Sequence, residues 1–435
     1  MTSKVEQPHS SSKVPRRAFG TALSNEKLPP TLPIVGLGCS SFSTFFWTDE
    51  DHQAFSGGLT VESITKDHPR VQEWIETIRY AVQECGITLL DTAPWYGHGT
   101  SEVVIGLALE QHAELRNRRA DMTINTKVGR YEADPSKQFD FSHATTIQSI
   151  QRSLQRLQCE YIDVLQLHDP EFAPSLDILI QETIPAMRYA QQQGWCKALG
   201  MTGYPLEVQY DILQKSLEVF GTNIWDQALT YGHFNLHNTR LTSLPIGTHE
   251  SLAAYCKEQN MGLLAAAPLS MGLLIPTNAD GTMTVPSWHP ASAELKDACR
   301  QASQLCQQQG VNLATLATVF ALGFPQIACT IIGCKNVLEV QRAANVANRY
   351  HGVTSSNDDN RCTNHSMDVM TSEETKVLRQ LQHANQGPFA QVWKHDLHHW
   401  DGIADAQNFW KAVLSVTAEH WHDRSLTQSS HTTAK

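Results

Sequence analysis

The chain has 435 residues, of which 41% are hydrophobic and 18% are charged, and its formal net charge is −11. This balance is typical of a globular protein with a large core, and it is not typical of a disordered or fibrous protein. The acidic excess and the lack of a basic block exclude nucleic acid and anionic membrane as expected partners, and no apolar run approaches the ~18 residues of a membrane span.

The cysteines and the two ends of the chain give further expectations. Ten scattered cysteines form no CxxC pair, and several lie in apolar segments, so we expect buried thiols and a cytoplasmic, reducing location. Residues 1–30 mix Ser, Lys, Arg and Pro without an apolar centre, which predicts a flexible tail and no secretory signal. A second flexible tail is predicted at 416–435, so that 31–415 form a single domain.

From residue 33 onward, short apolar runs alternate with segments of helical periodicity. A loop insertion is predicted at 42–69, where several aromatic residues follow no clean period. A C-terminal extension is predicted after residue 350, with a last helix near 404–414. The predicted strands are 33–40, 87–92, 123–128, 162–168, 197–203, 225–231, 262–268 and 328–333. The predicted helices are 70–85, 101–109, 142–157, 176–193 with a break near Pro185, 205–220, 248–258, 293–309 and 336–345.

Eight strands alternating with eight helices predict an α/β fold, specifically one closed (β/α)8 TIM barrel. The competing architecture is an open, doubly wound sheet. Such a sheet usually carries a GxGxxG fingerprint after its first strand, and Gly36-Leu37-Gly38 does not complete that spacing. The barrel is therefore the favoured prediction.

Polar residues end three successive predicted strands, namely Asp91, Lys127 and His168, and Tyr96 stands five residues after Asp91. A single lysine or histidine at such a position is usually a solvated or a core residue. However, the carboxyl ends of barrel strands meet at one mouth, where these four side chains would form a proton-transfer site. No HExxH or comparable spacing occurs, so no metal site is expected.

The chemistry expected of these four residues follows from their ordinary properties. Tyrosine has a pKa of ~10, and a nearby ammonium lowers this pKa by stabilising the phenolate. Lys127 would supply that ammonium, and Asp91 would hold it charged and in position. A neutral His168 would donate a hydrogen bond to the substrate oxygen. Tyr96 is thus predicted to exchange a proton with the substrate while a hydride moves at carbon.

These residues occur in the contexts LLDTAPWYG, INTKVGRY and DVLQLHDPEF, which closely resemble the aldo-keto reductase family. More narrowly, the chain resembles the branch of L-galactose dehydrogenase and fungal D-arabinose dehydrogenase, from about Leu32 to Val346. The resemblance implies an aldo-keto reductase barrel that binds NAD or NADP at its mouth without a separate nucleotide domain, with NAD favoured. It also implies that the catalytic tetrad is Asp91, Tyr96, Lys127 and His168.

The resemblance extends to the cofactor. Thr202 matches a hydroxyl that contacts the carboxamide, residues 268–273 match the pyrophosphate segment, and residues 333–335 begin the adenosine site. Gly203 replaces an asparagine of many relatives, and Ala266 replaces a frequent tyrosine. The implied cofactor contacts are Gly38, Thr202, Gly203, Pro268, Leu269, Ser270, Gly272, Leu273, Gly333 and Lys335.

Oxidation of an aldose at its anomeric carbon to the lactone is the leading functional hypothesis. The alternatives are an NADPH-dependent reductase of aldehydes or ketones and, from another class, a cofactor-sensing regulatory subunit. A small sugar is the expected partner, and the chain is expected to be a monomer or a weak homo-oligomer. Trp95, His168 and His233 are the candidate sugar contacts.

Overall fold

A computed structural model describes residues 13–20, 28–44, 59–132, 134, 137–278, 289, 291–353, 364–384 and 386–390. Eight parallel strands close into a barrel in which successive strands pair and the last strand pairs with the first, which confirms the predicted (β/α)8 TIM barrel. These strands are β3 (Val35–Gly38), β4 (Leu89–Asp91), β5 (Thr123–Val128), β6 (Ile162–His168), β7 (Cys196–Gly203), β8 (Gln227–Tyr231), β9 (Gly262–Ala266) and β10 (Ile327–Gly333).

Helices surround the barrel and bury their apolar faces against it. Side chains such as Ile75, Leu165 and Val319 form the main core between the helices and the sheet. A smaller core, including Leu89 and Leu264, fills the interior of the barrel. The helices are Pro69–Gln83, Thr100–Gln111, Ala113–Asn117, His143–Leu157, Leu176–Ile178, Ile184–Gln192, Leu206–Phe220, Arg240–Ser243, Leu252–Glu258, Ala293–Gln308, Leu313–Leu322, Val337–Asn348 and Ser372–Leu381.

Two helical details differ from the sequence prediction. The chain does not break near Pro185, because the π-helical turn Leu179–Thr183 leads directly into Ile184–Gln192 and places the proline in the first turn. A proline cannot donate to the preceding helical turn, and here that turn is the wider π-helical turn Leu179–Thr183. The helix Leu313–Leu322 was not predicted. It is buried over most of its length, so it lacks the polar face that makes a helix recognisable.

The N-terminal segment differs from the predicted flexible tail over residues 13–20. A strand β1 (Arg16–Ala18) pairs antiparallel with β2 (Thr31–Pro33). The Arg17 guanidinium donates to the carbonyl oxygens of Phe324 and Ile327, both at 3.1 Å, around the start of β10. This segment therefore lies at the amino end of the barrel. Residues 1–12 and 21–27 lie outside the described part of the chain.

The insertion and the C-terminal extension are described only in part. Phe42 is buried, with its ring centroid 6.1 Å from that of Trp74, whereas residues 45–58 lie outside the described ranges. In the extension, Glu374 on helix Ser372–Leu381 forms an ion pair with Arg349 at 2.8 Å. The last helix predicted near 404–414 and the second tail predicted at 416–435 also lie outside the described residues.

Three further findings concern composition and chemistry. Among the residues that the structure describes, no helix is long and apolar enough to cross a membrane. The nine described cysteines are free thiols, and all but Cys159 are buried. Within the same part of the chain, no group of three or more His, Cys, Asp and Glu side chains is arranged to hold a metal ion.

Candidate active site

The second, third and fourth barrel strands bring the predicted tetrad together at the carboxyl end of the sheet. Asp91 is the last residue of β4, Lys127 lies one residue before the end of β5, and His168 ends β6. All three side chains are buried. Tyr96 begins the short 3-10 segment Tyr96–Gly99, directly after the β4 turn. The backbone order of the barrel thus converts three separate strand ends into one cluster.

The ammonium of Lys127 is the centre of this cluster. Its Nζ donates to Asp91 Oδ2 at 2.8 Å, to the carbonyl oxygen of Thr92 at 2.7 Å and to the phenolic oxygen of Tyr96 at 3.2 Å. Lys127 is only 1% exposed, so its charge is removed from water and must be satisfied by these three oxygens. The arrangement fixes the distance between the ammonium and the tyrosine.

The pKa values of Tyr96 and Lys127 depend on burial as well as on the charges considered in the sequence analysis. Burial raises the pKa of Tyr96 to about 12, although the ammonium of Lys127 lowers it as predicted. For Lys127, burial opposes the charge, but Asp91 and Tyr96 outweigh this effect and raise its pKa. The pKa of Tyr96 is raised overall because desolvation of the phenolate, which the sequence analysis did not consider, exceeds the attraction of the ammonium.

His168 stands beside Tyr96, with the two rings nearly perpendicular and their centroids 6.1 Å apart. Burial lowers the pKa of His168 to about 3, despite the nearby carboxylate of Asp169, so the imidazole is neutral at physiological pH. Its Nε2 lies 3.6 Å from Asp169 Oδ2. Its buried Nδ1 has no hydrogen-bond partner among the described residues, which leaves this atom available to a ligand.

The loop that carries Tyr96 is shaped by a run of left-handed residues. Gly97, His98 and Gly99 have φ angles of 61°, 54° and 103°. A Cβ on Gly97 would lie 2.0 Å from Thr100 Oγ1, and one on Gly99 would lie 2.5 Å from Cζ of Arg156. Glycine is required at both positions, since an added side chain would be strained and would clash. This explains locally why glycines flank His98 after Tyr96.

Charged and aromatic side chains extend the site from His168 toward the rim. Arg130 forms an ion pair with Asp169 at 2.7 Å, and its guanidinium lies 4.1 Å from the centre of the Trp95 ring. Glu171 is buried, and its Oε1 accepts from the backbone N–H of Tyr204 at 3.0 Å. The sequence analysis assigned no role to Arg130, Asp169 or Glu171. The sequence signal for Asp169 and Glu171 was their place directly after His168, and the signal for Arg130 was its place three residues after Lys127.

Glu171 gives the folded protein a measurable pH dependence. Burial and the neighbouring Asp169 raise its pKa from 4.5 to about 8. Between these values, the folded state holds a proton that the unfolded state has lost, so the contribution of Glu171 to the free energy of unfolding decreases as pH rises from about 4.5 to about 8. The variant Glu171→Gln, which resembles the protonated acid, is expected to weaken this decrease. Urea denaturation at several pH values tests it, and an unchanged pH slope would contradict the assignment.

The residues predicted for the cofactor line two sides of the same mouth. Gly38 and Gly333 are register partners at the ends of β3 and β10, where a Cβ on Gly38 would lie 3.2 Å from the backbone nitrogen of Gly333. After β9, Ser270, Met271 and Gly272 have φ angles of 49°, 51° and 106°. Within this turn the backbone N–H groups of Ser270 and Gly272 donate to the carbonyl oxygens of Ala267 at 2.9 Å and Leu269 at 3.1 Å, so the turn is held by its own hydrogen bonds. Pro268, Leu269 and Leu273 belong to this turn.

The other predicted cofactor contacts lie after β7 and after β10. Thr202 is buried, stands in register with His168 and precedes Gly203, where a Cβ would lie 2.7 Å from Glu171 Oε2. Lys335 is exposed, and its backbone N–H donates to Glu339 Oε2 at 2.8 Å.

The remaining predicted sugar contact, His233, is buried in the loop after β8. Its ring packs against that of Tyr204, and its Nε2 lies 2.6 Å from the Tyr204 carbonyl oxygen. Tyr231 is the register partner of Ala266, so an aromatic ring stands next to the position where the sequence analysis noted a missing tyrosine.

The fold and the cluster define a single parallel barrel with a buried lysine that contacts a half-buried tyrosine at its mouth. The sequence matches the profile of the Aldo/keto reductase family over residues 62–355, and the chain belongs to this family of oxidoreductases. It is 36% identical over 267 residues to L-galactose dehydrogenase of Arabidopsis thaliana, which covers 61% of this chain and 75% of that protein.

Two further similarities are informative. The chain is 34% identical over 269 residues to D-arabinose 1-dehydrogenase of Saccharomyces cerevisiae, covering 61% of this chain and 73% of that protein. Its structure resembles the holo form of an aldo-keto reductase from Bacillus halodurans with a TM-score of 0.55 and 20% identity, over 89% of this chain and 99% of the other. At this identity the structural likeness concerns the fold alone.

Proposed function

We propose that the protein oxidises an aldose of the D-arabinose, L-galactose or L-fucose type at its anomeric carbon, giving the lactone, with NAD or NADP as the hydride acceptor. The observation that carries the proposal is the buried contact of Lys127 Nζ with both Asp91 and the Tyr96 hydroxyl. Two relatives with more than 30% identity are named for the oxidation of sugars of this kind, which supports the substrate class.

In this reaction the anomeric hydroxyl gives its proton to the phenolate of Tyr96, while C1 loses its hydrogen as a hydride and its bond to oxygen becomes the lactone carbonyl. Lys127 stabilises the phenolate at 3.2 Å and so makes the proton transfer accessible. Neutral His168 presents Nδ1 as a hydrogen-bonding atom for the substrate oxygen. The bound nicotinamide supplies the site that accepts the hydride.

The described residues fit a nicotinamide dinucleotide. The left-handed turn Ser270–Gly272 would lie along the pyrophosphate, and the paired Gly38 and Gly333 leave space between the first and last barrel strands. Thr202 would place its hydroxyl at the carboxamide. NAD is favoured over NADP because Glu339 brings a carboxylate next to Lys335, which disfavours a 2′-phosphate and suits a ribose hydroxyl.

The sugar would lie against the tetrad and the rim formed by Trp95, Arg130 and Asp169. A flat aromatic face beside charged hydrogen-bonding groups suits a ring that carries several hydroxyls. Trp95 and His168 are the better supported contacts. His233 is less well supported, because its Nε2 faces the carbonyl oxygen of Tyr204 and its ring packs on the tyrosine.

Reduction of aldehydes or ketones by NADPH is the second candidate, and one observation favours it. With a pKa of about 12, Tyr96 is protonated at neutral pH and is ready to donate a proton to a carbonyl oxygen. In the oxidative direction, the same pKa predicts that the rate at low aldose concentration rises with pH, as the phenolate fraction increases.

Initial rates over a panel of aldoses, measured with NAD and NADP in parallel, test the proposal. We expect turnover of D-arabinose, L-galactose or L-fucose, with NAD preferred and with rates that increase toward alkaline pH. Aromatic aldehydes with NADPH form the second arm of the experiment. Turnover of aldehydes without any aldose oxidation would overturn the proposal of a sugar dehydrogenase and support that of a carbonyl reductase. Tight binding of NADP with little turnover of NAD would refute the proposed preference for NAD.

A further inference from the structure

A line of side-chain amides lies inside the barrel behind the tetrad. Gln166 Nε2 donates to Asp91 Oδ1 at 3.0 Å, and Gln227 Nε2 donates to Gln166 Oε1 at 3.1 Å. Asn125 Nδ2 lies 3.5 Å from Gln227 Oε1 at the far end of the line. All three amides are fully buried. They connect the third, fourth and sixth barrel strands to a carboxylate on the second.

The line has a direction. Each amide directs its N–H group toward Asp91 and accepts with its oxygen from the amide behind it. At the far end, Asn125 Oδ1 has no hydrogen-bond partner among the described residues. At the near end, both oxygens of Asp91 are occupied, Oδ1 by Gln166 and Oδ2 by Lys127. The amide dipoles therefore point their positive ends at the carboxylate.

The barrel makes room for this line at Gly200 on β7. Gly200 is in register with Gln166 on one side and with Gln227 on the other, so the two glutamines must meet across an intervening strand. A Cβ on Gly200 would lie 3.2 Å from Gln166 Cγ and 3.3 Å from Gln227 Cβ. Because glycine has no side chain, the two glutamine side chains can approach each other inside the sheet.

We propose that Gln166 and Gln227 are positioning residues, whose oriented amides fix Asp91 so that it holds Lys127 against the Tyr96 hydroxyl. This inference rests on one part of the proposed function, namely that Tyr96 exchanges a proton with the substrate. Amides do not titrate in the working pH range, so the line acts through fixed dipoles and hydrogen bonds and carries no proton. In a dry interior such dipoles act strongly on a neighbouring charge.

The variant Gln166→Leu removes the hydrogen bond to Asp91 Oδ1 without adding a charge. The carboxylate then draws the ammonium closer to itself and away from the phenolic oxygen. We expect kcat to decrease roughly 10- to 100-fold, by analogy with residues that orient metal ligands through a hydrogen bond. The pH midpoint of oxidation should shift to higher pH, because the phenolate loses stabilisation. The dissociation constant of the cofactor should be unchanged.

The variant Gln166→Glu provides a conservative comparison. While protonated, the introduced carboxyl still donates to Asp91, so activity at the acidic end of the range should be largely restored. At higher pH it loses that proton and repels Asp91, and the pH profile should acquire a descending limb that neither the wild type nor Gln166→Leu has. A residue with a purely structural role would not produce this limb.

Two variants interrupt the line further from Asp91. Gln227→Leu and Gly200→Ala should each lower kcat several-fold and shift the pH profile in the same direction by less than Gln166→Leu does. The matched control is Thr123→Val, on the interior face of β5, whose buried hydroxyl has no partner among the described residues. This isosteric change should leave kcat and the pH profile unaltered.

The pH profiles are measured with whichever aldose or aldehyde the wild type turns over, so failure of the sugar assignment does not affect them. Ionisation of Tyr96 can also be followed without turnover, by fluorine NMR titration of protein labelled with 3-fluorotyrosine. The signal of Tyr96 is assigned by its loss in Tyr96→Phe. A raised midpoint in Gln166→Leu is expected. Unchanged kcat, pH profile and fluorotyrosine midpoint in Gln166→Leu would overturn the inference, even if aldose oxidation is observed.

Discussion

Replacing Tyr96 with phenylalanine is expected to lower kcat about 10³-fold, within the range attributed to a positioned acid or base. The hydroxyl is the group in contact with Lys127 Nζ, and phenylalanine removes it while keeping the ring. Since the cofactor contacts proposed above do not include this hydroxyl, the dissociation constant of NAD should change less than about twofold, well below one kcal/mol. Steady-state kinetics and quenching of tryptophan fluorescence by the cofactor measure the two quantities.

The matched control for this experiment is Tyr161→Phe. Tyr161 precedes β6 at the opposite end of the barrel, where its ring packs against the guanidinium of Arg119 and the ammonium of Lys197. Removing its hydroxyl should leave kcat at the wild-type level. If Tyr96→Phe retained substantial activity while the control behaved like the wild type, Tyr96 would not be the acid/base residue.

Lys127→Met is expected to damage both stability and activity. Lys127 and Asp91 form a buried pair at 2.8 Å with side-chain exposures of 1% and 5%. Removing the cation leaves a carboxylate uncompensated in the interior, which typically costs about 3–5 kcal/mol of the free energy of unfolding. Loss of the ammonium also removes the main stabilisation of the phenolate. We therefore expect a lower urea midpoint together with loss of aldose oxidation.

The control for Lys127→Met is Lys197→Met. Lys197 also pairs with an aspartate, Asp163, at 3.0 Å, but it lies at the amino end of β7 and its side chain is 30% exposed. Asp163 keeps a second cation, Arg119, at 2.7 Å. The control should lose at most about 1 kcal/mol of the free energy of unfolding and none of the activity. Equal losses of stability in the two variants would contradict the account of Lys127 as a buried charge.

Local patterns were sufficient to predict most of the barrel. The strands Thr123–Val128 and Ile162–His168 coincide with the predicted 123–128 and 162–168, because buried parallel strands are continuous apolar runs with clear ends. The predicted helix 142–157 also matches His143–Leu157, which Ser142 caps by accepting from the N–H of Thr145. These features depend on a few neighbouring residues and can therefore be read from the sequence.

Elements stabilised by distant partners were not predictable in this way. Strand Arg16–Ala18 consists of exposed or half-buried residues, and its order comes from pairing with Thr31–Pro33 and from the contacts of Arg17 around the start of β10. The single-domain boundaries at 31 and 415, by contrast, remain predictions. The hydrogen bond from Gln166 to Asp91 was also missed, although the position of Gln166 two residues before His168 puts both side chains on the same face of β6.

For the candidate site, the sequence by itself determined which groups are present and that they end adjacent strands, because strand periodicity and chain order are local properties. Only the tertiary structure decided how those groups ionise. Burial by remote parts of the chain raises the pKa of Tyr96 to about 12 and lowers that of His168 to about 3, outweighing nearby charges of opposite effect. Likewise, the amide line behind Asp91 exists because Gly200 on β7 leaves space between Gln166 and Gln227, a relation that joins three strands.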